Sequence, residues 1–393
     1  MKGTRILISG GGIAGLTCAI ELKRRGFEPL VIEREAGLRP EGYMMDFFGT
    51  GWDVAQRMGL IEPLRAVRYP IDSLQFVDGN GKPYVHMPIE RMRRALGGNY
   101  VYLRRPDLER ILAERARQAG VAIRYGCSLT AIEDRGDRVH AQFEGGDADD
   151  FALAIGADGA HSTLRELAFG PERQFARFLG LYVAAFHIAR GGFSVERTVK
   201  LYEETDRVAF LYPLDAEHLD ATYIFRQHEV QVPRSERLQF LRDKYRGAGW
   251  IAEEVLRACA ADAPIFFDSV TQIVMPQWYR GRVALIGDAC GCLTLLAGQG
   301  SHMAMAGGYV LAQELARQDD HRAAFSAYQS FLKPAVDKKQ KDAARFAGLF
   351  VPSAQSWPWL RRLTLRIFFS ATFLKFGLGL FGAHSVLAAR SSD

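Results

Sequence analysis

Gly10, Gly12 and Gly15 stand at G-x-G-x-x-G spacing between the apolar run RILIS (residues 5–9) and an alanine-rich stretch beginning at Ile13. A buried strand that turns sharply into a helix leaves backbone N–H groups unpaired, with the positive end of a helix dipole behind them. That arrangement suits phosphate. Gly10 permits the tight turn, Gly12 lets a pyrophosphate approach the backbone, and Gly15 lets helix and strand pack closely. A second apolar run, EPLVIE (28–33), ends in Glu33, which lies 18 residues past Gly15 and near the spacing at which an acid reaches ribose hydroxyls. A glycine turn beside a surface glutamate explains each residue singly, but not their order. Strand, glycines, helix, strand and terminal acid together predict a dinucleotide site.

Three further segments carry side chains suited to the same kind of ligand. RRPDLERIL (104–112) starts a helix with Pro106 in its first turn, and Arg105 there can offer a fork to a diphosphate. FALAIGADGAHSTLREL (151–167) reads as a buried strand, an Asp158-Gly159 turn and a helix start. GRVALIGDACGCLTLLAGQGSHMAMAGGYVLAQEL (281–315) reads as a strand ending in Gly287-Asp288, a loop, and a long helix opened by Gly298-Gln299-Gly300. A carboxylate at a strand end, as at Asp288, is well placed for a polyol.

The elements that hold these residues form a chain of 393 residues, too long for one simple core, so two domains and an appendage are expected. Apolar content of 48% and charged content of 24% exclude a disordered chain. The net charge of +5 comes from 50 basic and 45 acidic residues interspersed along the chain, so nothing demands nucleic acid. Five scattered cysteines suit a reducing compartment better than a disulfide framework. Cys290 and Cys292 form a C-x-C pair with no second pair or His cluster, so no metal centre is expected. The N-terminus enters a strand almost at once, with no cleavable signal, which predicts a cytoplasmic protein.

The remaining segments alternate toward β structure. SLQFVDGNGKPYVHMPI (73–89) predicts a hairpin about an Asp-Gly-Asn-Gly turn. LYVAAFHI, RTVKLYEE, RVAFLYPL and DATYIFR predict further strands, followed by two helices and the strand FFDSVTQIVM. This sheet is expected to cover the dinucleotide and to roof a substrate pocket, since pockets favour domain interfaces. Ala323 to Phe350 predicts a long helix. The tail from Trp357 is aromatic and apolar, with Arg361, Arg362, Arg366 and Lys375 interspersed and Gly377, Gly379 and Gly382 weakening a helix. It is a poor candidate for a membrane span, which needs about 20 predominantly apolar residues. A helix packed over the two domains, a contact with a membrane surface and a dimer contact are its three readings.

On these motifs the chain resembles the FAD-dependent monooxygenases of the para-hydroxybenzoate hydroxylase fold over residues 1 to about 330. Within them it is similar to the tetracycline-inactivating and aromatic polyketide hydroxylase-like branch, through LRPEGYMMDFFG with Arg39 and Asp46. The resemblance implies an α/β fold: a Rossmann-like FAD-binding domain, an inserted mixed β-sheet substrate domain and C-terminal helices. The expected division is 1–72, 100–175 and 276–330 for FAD, 73–99 and 176–275 for substrate, and 331–393 for the helical segment. It implies non-covalent FAD, with Glu33 on the adenosine ribose, Arg105 along the pyrophosphate and ribityl, and Asp288 on the ribityl chain. Arg39 and Asp46 would border the flavin, and Asp158 would support the cofactor without catalysing. The helix start at Gly298, Gly300 and Ser301 would face the N1 and C2-carbonyl edge, where reduced flavin is negative. His302 reads as a helix-face residue.

The resemblance further implies NAD(P)H as a transient co-substrate, since only one dinucleotide fingerprint is present; Arg39 could contact its phosphates. Oxygen would pass through a flavin C4a-hydroperoxide to a hydrophobic, aromatic or polycyclic small molecule, as in class A flavoprotein hydroxylases. Gly291 and Leu295 depart from the family's usual His and Pro, which bears on the substrate and the oxygen chemistry rather than on FAD. Two other readings stay open: a reductase or dehydrogenase of the same fold, such as one saturating prenyl double bonds, and a flavoprotein that sequesters a hydrophobic ligand. No His or carboxylate is named as a catalytic base.

Overall fold

Runs of β-branched and leucine residues without polar alternation need cover on both faces, and they occupy the middle of a six-stranded sheet. The computed structural model describes residues 3–38, 43–193, 195–294, 296, 298–353, 357–370 and 385–388. In the sheet, β1 (Arg5–Ser9) lies between β2 (Glu28–Glu33) and β11 (Leu153–Gly156), parallel to both. Beyond them lie β7 (Ala122–Tyr125) on one side, and β18 (Val283–Leu285) with antiparallel β17 (Tyr279–Arg280) on the other. Helix α1 (Ile13–Arg24) packs against α5 (Arg105–Gln118) and α10 (Gly300–Arg317). The α1–α10 crossing is close because a Cβ on Gly308 would lie 2.7 Å from both Ala14 O and Cys18 N. A three-stranded antiparallel sheet, β8 (Leu129–Asp134), β9 (Val139–Phe143) and β10 (Ala148–Phe151), precedes β11, and α6 (Thr163–Phe169) follows it.

Antiparallel β3 (Met44–Phe48) and β6 (Tyr100–Arg104) form a two-stranded ribbon, with α2 (Gly49–Arg57) and α3 (Ile61–Ala66) after β3. Alternation along β3 sends Met45 and Phe47 into the nucleotide-domain core and Met44 and Phe48 toward the second sheet. That second sheet has seven strands, in the order β16 (Phe266–Ile273), β12 (Ala176–Ala189), β15 (His218–Arg226), β14 (Arg207–Pro213), β13 (Thr198–Glu204), β4 (Ser73–Val77) and β5 (Pro83–Pro88). The hairpin of β4 and β5 is closed by Asp78, whose Oδ1 accepts from Asn80 N and Lys82 N at 3.0 Å each. It joins the sheet through a parallel pairing of β4 with β13, and α4 (Ile89–Ala95) follows it. On the outer face, Tyr182, Phe186, Tyr223 and Phe225 pack with Leu241, Tyr245, Val255 and Leu256 of the segment containing α7 (Arg237–Lys244) and α8 (Ala252–Ala258).

After α9 (Asp288–Gly291) and α10, the helix α11 (His321–Phe350) links both sheets. Its Gln340 donates to Ile273 O at 2.7 Å and Cys292 O at 3.0 Å, while Ala347 and Val351 pack beside Leu181, Val183 and Ile224. The final described helix, α12 (Pro358–Phe368), lies on the seven-stranded sheet. Arg361 donates to both oxygens of Glu203 at 2.8 and 2.7 Å and to Phe350 O at 2.7 Å, and Leu365 and Phe369 pack onto the cluster containing Phe76. Trp357, Trp359, Leu360, Leu363 and Ile367 remain exposed. Lys375 and the three tail glycines lie outside the described residues. Among the described residues, no helix is long and apolar enough to cross a membrane.

Candidate functional site

The C-terminal ends of β1 and β11, the starts of α1, α5 and α10, and the strands β3, β12 and β16 converge on one cleft. It encloses about 1380 Å³ of atom-free space, its open mouth included. Behind the cleft-lining Gly12 and Ala157, Gly10 has φ +110°, and a Cβ there would lie 2.5 Å from Ala157 O. A Cβ on Gly15 would lie 1.9 Å from Gly10 O, so only glycine allows α1 to start this close to β1 and β11. Gly12 is the N-cap of α1 and lines the cleft, and a Cβ there would meet nothing nearer than Glu109 Oε1 at 3.8 Å. The first turn of α1 holds no acidic residue. Its N–H groups are therefore available to an anion.

Glu33 sits at the end of β2, where its carboxylate accepts from Gly11 N at 2.8 Å and Glu35 N at 3.0 Å. These bonds aim the acid beside the glycine turn and leave further lone pairs for hydroxyl donors. Arg105 opens α5, pairs with Glu109 at 2.8 Å and lines the cleft with Tyr43 and Asp288. Burial works against its charge, but Tyr43, Glu109 and Asp288 outweigh that and hold it above its ordinary value. Burial pushes the Asp288 carboxyl up, opposed by Arg105 and by a hydrogen bond with Cys292. Asp46 also lines the cleft; Tyr100 donates to it at 2.5 Å, and burial raises its pKa against that bond.

Gly298, Gly300 and Ser301 bring the start of α10 to the same cleft, again with no acid in the first turn. A Cβ on Gly300 would lie 3.7 Å from Asp288 Oδ1, which fixes how closely the two elements approach. His302 turns inward instead. Its Nε2 donates to Asp46 O at 3.0 Å between Phe47 and Phe48, and burial lowers its pKa to about 4. Asp158 does not line the cleft. Its carboxylate accepts from Ser162 Oγ, from Leu164 N at 3.0 Å and from Ser9 Oγ at 3.3 Å, tying β1 and β11 to the start of α6. Arg39 and Leu295 lie outside the described residues. Gly291 is described, and a Cβ there would lie 2.9 Å from Val336 Cγ1, so α11 leaves no space for a larger side chain.

Sequence reasoning missed the charge at the mouth. His161 lies 3.8 Å from Asp268 and 3.0 Å from Glu172, and these two acids raise its pKa to about 9 against the cost of burial. It follows the Asp158-Gly159 turn by two residues, but its acids come from distant segments with no motif. Roof residues such as Val183, Phe266 and Thr271 were equally hidden within ordinary strand patterns.

A family model described as an FAD binding domain matches residues 3–331. An uncharacterized protein of Mycobacterium tuberculosis is 33% identical over 350 residues, covering 85% of this chain and 91% of its own. A flavin-dependent monooxygenase of Legionella longbeachae is 32% identical over 347 residues, covering 86% and 88%. Among solved structures, the tetracycline destructase Tet(55) is 27% identical with a TM-score of 0.85, covering 98% of each chain. Klebsiella pneumoniae HpxO, complexed with FAD and uric acid, has a TM-score of 0.81 at 19% identity over 97% of each chain, a likeness of fold alone.

Proposed function

The chain belongs to the FAD-binding-domain family of flavin-dependent monooxygenases, and from that premise we propose that it oxygenates a hydrophobic, hydroxylated aromatic or polycyclic compound at the expense of NAD(P)H. The observation that carries this reading is the single cleft shared by the G-x-G-x-x-G turn, Arg105, Asp288 and the α10 start, and roofed by β12 and β16. The glycine cradle and the two acid-free helix starts fit a diphosphate and a negative ring edge, and Asp288 fits a polyol.

In this reading Gly10, Gly12 and Gly15 shape the pyrophosphate seat, Glu33 takes the ribose, and Arg105 and Asp288 hold the diphosphate–ribityl stretch. Asp46, Gly298, Gly300 and Ser301 border the ring. Asp158 fixes the seat from behind. FAD supplies the oxygen activation when bound; the protein orients the substrate and keeps water from it. Val183 and Phe266 form an apolar part of the roof. The residues of the six-stranded sheet form the FAD domain, and those of the seven-stranded sheet form the substrate domain. The tetracycline destructases are named for a hydroxylated polycycle, and the family likeness supports a compound of that kind here.

The test is a parallel measurement of dioxygen, NAD(P)H and product with a hydroxylated polycycle. A monooxygenase consumes equal amounts of both cosubstrates as product appears. A reductase consumes NAD(P)H and forms product without dioxygen, and a sequestering protein turns over neither.

A further inference from the structure

The inner face of the seven-stranded sheet carries a buried acid that the cofactor reading leaves unused. Asp220 on β15 is 1% exposed, and Thr222 Oγ1 donates to its Oδ1 at 2.8 Å. Among the described residues, the one basic side chain within ion-pair distance is His187 of β12, with Nε2 3.4 Å from Asp220 Oδ2. Both lie on the cleft side of the sheet. His187 pairs with Asp220 in an unbroken register that begins at Leu181, so it shares a face with Val183, which lines the cleft. On the other flank Tyr212 pairs with Asp220 across β14 and β15, and the nearby acid adds to burial in raising the Tyr212 phenol. The Tyr212 hydroxyl in turn accepts from the backbone N–H of Met44 at 3.3 Å, and Met44 also lines the cleft.

An acid buried for packing alone is costly unless a firm cation or several donors compensate it. Here the compensation is a hydroxyl, a phenol and an imidazole whose side chain is about one-third exposed (35%). Nε2 is the ring nitrogen that faces Asp220, and a ring proton placed there would be oriented by the acid. That leaves the Nδ1 lone pair as a proton acceptor, the division of labour seen wherever an acid orients a histidine base.

We propose that His187 and Asp220 form the substrate-side proton acceptor of the cleft, removing the proton from a phenol or enol hydroxyl of a bound aromatic compound. The substrate O–H bond breaks and an Nδ1–H bond forms. The electron pair stays on the substrate oxygen, and Asp220 stabilises the imidazolium. No oxidant enters this step, and the partly exposed ring can return the proton to water. The resulting phenolate is electron-rich at its ortho and para carbons, which is where an electrophilic oxygen would add. The inference deepens the monooxygenase reading and rests on it. Other titratable groups facing the pair are Tyr212 on β14 and Tyr102 on β6; Asp46 of β3 and Tyr69 lie beside Tyr102, and Asp215, Arg104 and Arg190 lie beyond Tyr69. Tyr102 and Tyr212 are held far above the ordinary phenol range, by burial first and then by the nearby acids, so they act as donors and not as bases.

Alizarin, a hydroxyanthraquinone whose visible band shifts to the red on ionisation, reads this directly. Titrated into the FAD-loaded enzyme, it is expected to bind with its ionisation midpoint below that of the free dye. In Asp220→Asn and in His187→Gln the bound dye's midpoint should rise by about one pH unit or more, about tenfold in equilibrium constant. His187→Gln alters a partly exposed side chain and guards against a folding defect at the buried acid. Wild-type enzyme that binds the dye only as the phenol, or does not bind it, overturns the proposal. So do variants that keep the wild-type midpoint. FAD content and NAD(P)H-driven flavin reduction of the same wild-type preparation separate the two readings: if both are normal while the dye result fails, the base is wrong and the monooxygenase reading stands.

Discussion

Asp288 faces the α10 start at Gly300 and His302 lies in the first turn of that helix, yet their environments differ. Asp288 lines the cleft as the first residue of α9, just past β18. If it holds the ribityl chain as proposed, replacing it by alanine removes a charge-assisted bond worth ~1.5–3 kcal/mol. FAD affinity should fall about 10- to 150-fold in an equilibrium ultrafiltration measurement, and unchanged retention would remove Asp288 from the cofactor site. His302 is a core residue. With a pKa near 4 in the fold against 6.5 for the free group, it stays neutral while the unfolded chain takes up a proton. Its contribution to stability is therefore full above pH 6.5 and is lost as pH falls toward 4, on the order of 3 kcal/mol. Melting temperatures should fall less steeply through that window in His302→Gln than in wild type; parallel curves would contradict the assignment. The positions of Gly10, Arg105 and Asp288 were legible in the sequence because each sits at a strand or helix end marked by glycine or proline, and that of Glu33 because it closes a strand 18 residues past Gly15. The acids around His161 were not, because Glu172 and Asp268 meet it only through tertiary folding.

At the scale of elements, close approach decides what the glycines tolerate. Gly308 faces backbone atoms of α1, which cannot yield, whereas a Cβ at the exposed Gly348 of α11 meets nothing within 4 Å. Gly308→Ala should cost about 1–3 kcal/mol through overpacking, and Gly348→Ala should stabilise by about 0.5–1 kcal/mol through helix propensity. Thermal denaturation of the two variants should move in opposite directions; equal shifts would mean that the α1–α10 crossing is not as tight as described. The tail was only partly legible. Its aromatic, basic composition left a packed helix, a membrane contact and a dimer contact open, because nothing in the sequence marks Glu203 as the partner of Arg361. Both side chains are largely buried (18% and 7% exposed), so Glu203→Ala should cost about 3–5 kcal/mol by stranding the guanidinium. Proteolysis between α11 and α12 should quicken while FAD stays bound. Wild-type protease resistance in the variant would show that Leu365 and Phe369 suffice to hold α12.

Across the whole molecule, the six-stranded sheet and its helices border one side of the cleft and β12 and β16 of the seven-stranded sheet border the other, with β3 and α11 joining them. The first sheet was readable because parallel strands and phosphate turns have strong local signatures. The order of the seven strands was not, since the partners β4 and β13, or β12 and β16, are far apart in the chain and any amphipathic strand could fill those places. The central claim is that one atom of dioxygen is transferred to a hydroxylated aromatic compound held between the two sheets. Turnover under labelled dioxygen in ordinary water, followed by mass spectrometry, tests it most directly. The account predicts a product carrying one labelled oxygen atom. A product whose new oxygen comes from water, or one altered only by gain or loss of hydrogen, would contradict it.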